Sequence, residues 1–452
     1  MSFYNDAVVT KAERSVADAI SALLALPKGG AVVGVAPAGA GKSHAIGTAV
    51  QAAREARLRV AVATPTNEQA FELVANVADR VASTKVIHLR KKALDLPTAN
   101  RRKNITSTDD SGEASRADVV VGTLSKLGDA YSRGKLSKFD VLLVDEAYQA
   151  NSVSYYLIGD LAPRHLLMGD SGQLAPFSTA PDGDRWRGLD EDPLLTAVEV
   201  LKRQQLVSKE IKLPITRRLD PRGARVAKAF YPGHEFEAAV NDGVRALTLG
   251  RAQGGARGRV AVMDKVLDHA SLVGWAHLEL PQAAVLTADR ETIDLIVQMI
   301  ARLLERDARV RCERTPKPRA LLQSDIAVAV SHNDQKDLLR AALQKARLGD
   351  VRVNTANKLQ GLTFEVVVAW HPLAGLPDVD EFHLYPGRLC VKLTRHRQAC
   401  IVVGRAGDRK LVEGIPPATP AYVGWESNPA LEGWYAHEAV FAALGACRVA
   451  AA

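Results

Sequence analysis

Short apolar runs alternate along this chain with longer stretches in which apolar residues recur every three or four positions, the signature of buried strands alternating with amphipathic helices. Residues 7–26 carry the helical spacing, and Pro27-Lys28-Gly29-Gly30 stops it. Ala31 to Val35 then reads as a buried strand, and a second helix begins at Ser43. Further strands are predicted at Arg59–Thr64, Asp118–Gly122, Phe139–Ala147 and His165–Met168, with a helix at Glu68–Val81. In the second half the pattern repeats. Strands are predicted at Ala283–Thr287, Ile326–Val330, Val351–Thr355, Val366–Trp370 and Ile401–Gly404, with helices at Glu291–Leu304 and Asp334–Leu343.

Such alternation predicts an α/β fold of two tandem doubly wound parallel sheets with a cleft between them. The divisions expected from the sequence are a first domain over 1–205, a second over 206–405 and a C-terminal cap over 406–452. Within the first, residues 85–116 differ in composition. Arg90, Lys91, Lys92, Arg101, Arg102 and Lys103 precede a polar run from Thr106 to Ser115, which reads as a basic surface insertion, either merely solvated or lying over a nucleic-acid track. Past Gly404 the chain becomes loop-like, with Pro416, Pro417 and Pro420, a segment from Trp425 to Trp434 and a short apolar helix, Ala436–Leu444.

A length of 452 residues suits two or three domains, and 47% hydrophobic with 24% charged residues describes a globular chain. The formal charge of +8 favours polyanionic partners. The first twelve residues hold Asn5, Asp6 and Lys11 rather than an apolar leader, and no apolar run matches a bilayer span. The four cysteines, Cys312, Cys390, Cys400 and Cys447, include no C-x-x-C pair. That argues against a disulfide framework or a structural zinc site and fits a reducing cytoplasm, with no membrane association.

Chemistry concentrates at strand ends. The stretch AVVGVAPAGAGKS, residues 31–43, nearly matches the P-loop pattern, with Ala36 where the first glycine belongs. Through Gly39, Ala40 and Gly41 the backbone N–H groups can turn toward an anion at a helix N-terminus. Lys42 would reach the β- and γ-phosphates of ATP, and the Ser43 hydroxyl would ligate Mg²⁺. The strand FDVLLVDEA ends in adjacent carboxylates: Asp145 can serve the Mg²⁺ shell and Glu146 can orient an attacking water. After the next strand, GDSGQLAP allows a tight turn that brings Gln173 toward a γ-phosphate. Thr64, Pro65, Thr66 and Asn67 follow the second strand, at the edge where ligands of open parallel sheets gather.

These motifs, in this order, make the chain resemble superfamily 1 helicases. It is most similar to the branch that holds RecD-like enzymes and the nonsense-mediated-decay helicase, which show DEA-x-Q-A and GD-x-x-QL-x-P where this chain has DEAYQA and GDSGQLAP. LPITRRLDP, residues 213–221, looks like the family's segment with a γ-phosphate arginine, here Arg218. VNTANKLQGLTF, residues 353–364, matches the Gln-Gly motif, which places Gln360 and Gly361 at the nucleotide. RLCVKLTRHR, residues 388–397, matches the terminal motif whose second arginine is Arg395. The wording TRRLDP, QGLTF and LTRH also echoes helicases of positive-strand RNA viruses, and Thr363 stands where many relatives carry Glu. The resemblance implies two RecA-like domains, ATP and Mg²⁺ as cofactors, and travel on single-stranded DNA or RNA with 5′-to-3′ polarity. Protein partners in replication, repair or a viral or phage cycle fit such an enzyme, and the oligomeric state is left open with a monomer favoured.

Without the family, two sheets around one nucleotide still call for arginines from the partner sheet, and a guanidinium neutralises charge on γ-phosphoryl oxygens. Arg218 and Arg395 are the candidates. A strand lying across both sheets would be held at its phosphates by Thr66, Asn67, Thr123 and Thr355, while His332 and Trp370 are candidates to stack bases. Two other readings fit the same residues: an ATP-switched clamp that remodels without unwinding, and a small-substrate P-loop transferase. Gln173, Gln360 and the paired arginines argue against the transferase.

Overall fold

The computed structural model of the protein describes all residues except 1, 28, 177–182, 187–188, 253–256, 287, 415, 417–428 and 452. The N-terminal helix α1 (Asp6–Ala25) is capped by Asn5 and leads through Pro27 to β1 (Gly30–Val35), buried along its whole length. The first sheet adds β2 (Val60–Thr64), β3 (Val86–Leu89), β4 (Ile105–Thr108), β5 (Val119–Thr123), β6 (Val141–Asp145), β7 (Arg164–Gly169) and β8 (Val207–Lys212). The strand order is β4-β3-β5-β2-β6-β7-β1-β8, with parallel pairing throughout.

Strand alternation supplies both faces of this sheet with apolar side chains. Val32 enters the core beneath α1, α2 (Lys42–Glu55) and α3 (Asn67–Arg80), while Ala31 and Val33 enter the core on the other face. Each fully buried Val or Leu there stabilises the fold by about 1.5–3 kcal/mol relative to an exposed one.

The chain continues through a parallel pair, β9 (Ile215–Thr216) with β10 (Glu237–Ala238). A three-stranded antiparallel patch follows, in the order β11 (Ala246–Thr248), β13 (Arg309–Cys312), β14 (Thr315–Ala320). The second sheet holds β12 (Trp275–Leu280), β15 (Ile326–Val330), β16 (Arg352–Thr355), β17 (Phe364–Trp370), β18 (His396–Arg405) and β19 (Arg448–Ala450). Its order is β16-β15-β17-β18-β12-β19, again all parallel. The two doubly wound RecA-like sheets expected from the sequence are therefore both present.

Several boundaries differ from the sequence reading. Residues 85–116 are not an insertion: Val86–Leu89 is a fully buried strand between β5 and β4, and Arg102 closes onto Asp79 of α3 at 2.6 Å. The first domain does not end at 205, because β8 pairs with β1 and Ala239 packs in the first core. The segment after 405, expected as a cap packed on the second sheet, also adds a strand to it. Its helix Pro429–Leu444 buries Ala436, Val440 and Leu444 in a second-domain core, and β19 extends the sheet beyond β12. Pro417, Pro420 and Trp425 lie outside the described residues. No strand forms over 283–286, and Thr287 lies outside the description; the strand is β12, which ends three residues before Ala283 and is preceded by a helix at Arg259–Val273.

Candidate functional site: a glycine loop at the seam of two sheets

Sheet order sets the carboxyl ends of β6, β7 and β1 side by side, with Val35 opposite Gly169 and Asp145 opposite Met168. Ala36, in place of the first P-loop glycine, is buried and donates its N–H to the Gly169 carbonyl at 2.8 Å, so a methyl is accommodated at the strand exit. Gly39 and Gly41 have φ of 74° and 93°. At Gly39 a Cβ would come within 2.3 Å of the Arg218 Cβ, so the absence of a side chain lets the two segments meet.

Lys42 opens α2, and its Nζ lies 3.3 Å from Glu146. Burial lowers its pKa, but the combined pull of Glu146, Asp170 and Asp145 outweighs that and raises it above the usual lysine value. Asp145 accepts from the Ser43 hydroxyl at 3.3 Å and from the Glu146 backbone N–H at 2.9 Å. Burial, then the neighbouring Glu146, pushes the Asp145 carboxyl up. Glu146 itself adopts a left-handed backbone, φ 55°, which turns its carboxylate from the strand direction toward Lys42. Hydroxyl and carboxylate together are hard oxygen donors that suit Mg²⁺ beside phosphates. Among the described residues no group of three or more His, Cys, Asp or Glu side chains gathers as a metal site.

The second sheet approaches with the amino ends of its strands. Gln360, Gly361 and Thr363 precede β17 and Arg395 precedes β18. Arg218 spans the gap: Nε donates to the Thr363 hydroxyl at 2.9 Å, and Nη1 and Nη2 reach the carbonyls of Thr394 and Gly361, each at 3.3 Å. Burial and the nearby Arg395 lower the Arg218 pKa. Gln360 donates to Gln173 at 3.1 Å, and Gln173 in turn donates to Asp170. Arg395 is fully buried; it donates from Nη2 to the Thr394 hydroxyl at 3.0 Å, and its Nε has no partner among the described residues.

Four residues escaped the sequence reading. The buried Tyr231 hydroxyl accepts from the Ala38 N–H at 2.9 Å and donates to Asp170 at 2.8 Å, while Thr216 donates to the Ala38 carbonyl at 2.7 Å. Arg217 donates its N–H to the Gly39 carbonyl at 2.8 Å. The wording TRRLDP and GDSGQ pointed near Thr216, Arg217 and Asp170, but nothing local marks Tyr231 as a loop contact.

The expected nucleic-acid contacts divide. Thr64 and Thr123 are register partners at the ends of β2 and β5. Thr64 is buried, with its hydroxyl on Gln69, so it offers no surface. Exposed Thr66 caps α3 through a capping box with Gln69, followed by Asn67, the first residue of the helix; Pro65 is half-buried beside them. Thr123 caps its own helix at Lys126. On the second sheet, Thr355 pairs with Val330 and His332 follows two residues later, both half-buried at carboxyl ends. Trp370, in contrast, is 1% exposed in the second core and cannot stack a base, because its strand lies between β15 and β18.

Residues 16–158 match the DEAD/DEAH box helicase family profile, and residues 281–407 match that of an AAA domain. No curated protein matches the chain. Among solved structures, the arterivirus nonstructural protein 10 helicase is similar at 15% identity and TM-score 0.41, over 87% of this chain and 62% of that one. Its complex with DNA gives 15% identity and TM-score 0.42, over 86% and 62%. A Saccharomyces cerevisiae Dbp5 variant bound to Nup159, a Gle1 variant, IP6 and ADP is similar at 11% identity and TM-score 0.42, over 97% and 90%. The chain thus spans about 62% of the length of the arterivirus helicases it matches. The segment that matches the DEAD/DEAH box helicase family thus falls on the first parallel sheet, and the segment that matches an AAA domain falls on the second.

Proposed function

We propose that this chain couples ATP hydrolysis to movement along single-stranded DNA or RNA and to the separation of duplexes, with the 5′-to-3′ polarity of the RecD-like branch of superfamily 1. The observation that carries the proposal is the reach of Arg218 from the glycine loop to Gly361, Thr363 and Thr394, which brings parts of both sheets together at the loop. In this reading Gly39, Ala40, Gly41 and Lys42 cradle the phosphates. Ser43 and Asp145 hold Mg²⁺, which when bound neutralises charge on the phosphate oxygens. Glu146 orients the attacking water, released from Lys42 as the lysine turns to phosphate. Arg218 and Arg395 stabilise charge on the γ-phosphoryl group as it departs. Gln173 and Gln360 carry the state of that group between lobes, and Gly361 leaves room for the approach.

A strand crossing the carboxyl ends of β2 and β5 on one sheet and of β15 and β16 on the other would meet Pro65, Thr66, Asn67, Thr123, His332 and Thr355. Holding at phosphates transmits force without reading sequence. Because the proposed nucleotide site lies at the opposite, amino-end side of the second sheet, opening the seam would shift one grip relative to the other. Partners in replication, repair or a viral cycle would act on the same strand.

The test is ATP turnover with matched DNA and RNA oligomers, followed by unwinding of duplexes tailed at either end. Severalfold stimulation by at least one polymer and unwinding from a 5′ tail are expected. Stimulation without unwinding would instead establish an ATP-switched clamp, and no stimulation by either polymer would end the proposal.

A further inference from the structure

Arg217 and Arg218 touch the glycine loop through a backbone that is itself held from behind. The Arg245 guanidinium donates from Nη2 to the Arg217 carbonyl at 2.8 Å and from Nη1 to the Arg218 carbonyl. Its Nε and Nη2 also donate to the two oxygens of Glu313, at 2.9 and 2.7 Å. Both side chains are almost wholly buried, 1% and 5% exposed. Burial pushes the Glu313 carboxyl up, but the bonds from Arg245 outweigh it and hold the group below its usual range.

Glu313 sits in the turn between β13 and β14, and its hairpin is braced on the second domain. Arg311 donates to the Gly243 carbonyl at 2.9 Å and accepts at its own carbonyl from Gln398, also at 2.9 Å. Arg319 pairs with Asp325 and Glu365. The chain therefore fixes a carboxylate with the second sheet and uses it to aim a guanidinium at two consecutive carbonyls of the segment on the loop.

A buried ion pair is a weak device for stability, since apolar side chains of similar volume serve as well. What only a planar fork supplies is simultaneous grip on a carboxylate and two carbonyls, which sets the direction in which the intervening residues project. We infer that Arg245 and Glu313 are positioning residues for Arg218: they fix its backbone so that its guanidinium meets the nucleotide when the lobes close. This rests on the reading of Arg218 as a γ-phosphate arginine. Neither residue touches the glycine loop, and no sequence motif marks them.

The full-length chain with a saturating single-stranded oligomer provides the test, through kcat and KM for ATP in Glu313→Gln, Arg218→Ala and the double variant. Glu313→Gln should lower kcat about tenfold, the scale of a small misplacement of a reacting group, with KM for ATP nearly unchanged. In the Arg218→Ala background the same change should have no further effect, because residues acting through one another are not additive. Additive losses in the double variant would show a merely structural pair and overturn the inference. If Arg218→Ala slows turnover but Glu313→Gln does not, the positioning role falls alone. If Arg218→Ala leaves kcat intact, the reading of Arg218 falls and the inference with it. Should Glu313→Gln not fold, Glu313→Asp, which keeps the charge and shortens the reach, carries the same comparison.

Discussion

The side chains of Gln173 and Gln360, 187 positions apart in sequence, meet amide to amide at 3.1 Å across the seam between the two sheets. Gln173 also donates to Asp170, whose other oxygen accepts from Tyr231, so a single chain of hydrogen bonds runs from the second sheet to the Ala38 N–H of the glycine loop. Coupling between two ligand sites requires such an element with two arrangements, and typical couplings are about 1–3 kcal/mol. Gln360→Ala should therefore reduce stimulation of ATP turnover by single strands about tenfold while leaving unstimulated turnover close to that of the unaltered protein. Turnover at zero and saturating oligomer measures both terms.

Lys42 is surrounded by Glu146, Asp145 and Asp170. Lys42→Ala should abolish measurable ATP turnover, because it removes the ammonium proposed to hold the β- and γ-phosphates, yet spare binding of a labelled single strand. Fluorescence anisotropy without nucleotide checks the second part.

Arg395 has every side-chain atom buried and an unpartnered Nε among the described residues. Arg395→Ala should slow hydrolysis by about 10³-fold, the scale of an arginine that stabilises a phosphoryl transition state, and weaken ATP binding far less. Single-turnover rates compared with nucleotide affinity separate the two, and an unchanged rate would show that this guanidinium serves the fold alone.

Tyr231→Phe keeps the ring among Phe236 and His234 but removes the hydroxyl that satisfies both the Ala38 N–H and Asp170. Leaving a buried donor without a partner costs about 1–3 kcal/mol. A loss of that size in urea unfolding, together with weaker nucleotide binding, is expected.

Buried histidines make the fold acid-sensitive, His88, His277, His396 and His437 among them. Burial lowers the pKa of His88 and His277 to about 4 and of His396 and His437 to about 3. Below about pH 6.5 the unfolded chain takes up protons that the folded chain refuses, so stability is complete above that pH and falls with acidification toward these values. Each histidine adds a slope of up to about 1.4 kcal/mol per pH unit within its window. Urea unfolding from pH 7 to 5 should show the decline, and His437→Gln should flatten it.

How much was legible in the sequence follows from how local each signal is. The run AVVGV, the two glycines with left-handed backbone and Lys42 at a helix start are all specified within a dozen neighbours, so strand, loop and helix fall where the pattern puts them. The strand WAHLEL escaped because its alternation is diluted by His277 and Glu279, and TPKPRA because two prolines disfavour a strand anywhere but at an edge, which is where β14 lies. VSKEIK, largely exposed, gives no apolar run at all, yet it closes the first sheet beside β1.

By itself the sequence determined the two parallel sheets and the identity of the glycine loop, because periodicity and turn chemistry act between residues close along the chain. Only the tertiary structure decided that Tyr231 caps Ala38, that Trp370 is core and that Arg218 bridges the seam. Those outcomes depend on contacts between segments more than a hundred residues apart, or on which strands flank a given one, and side-chain pattern carries neither.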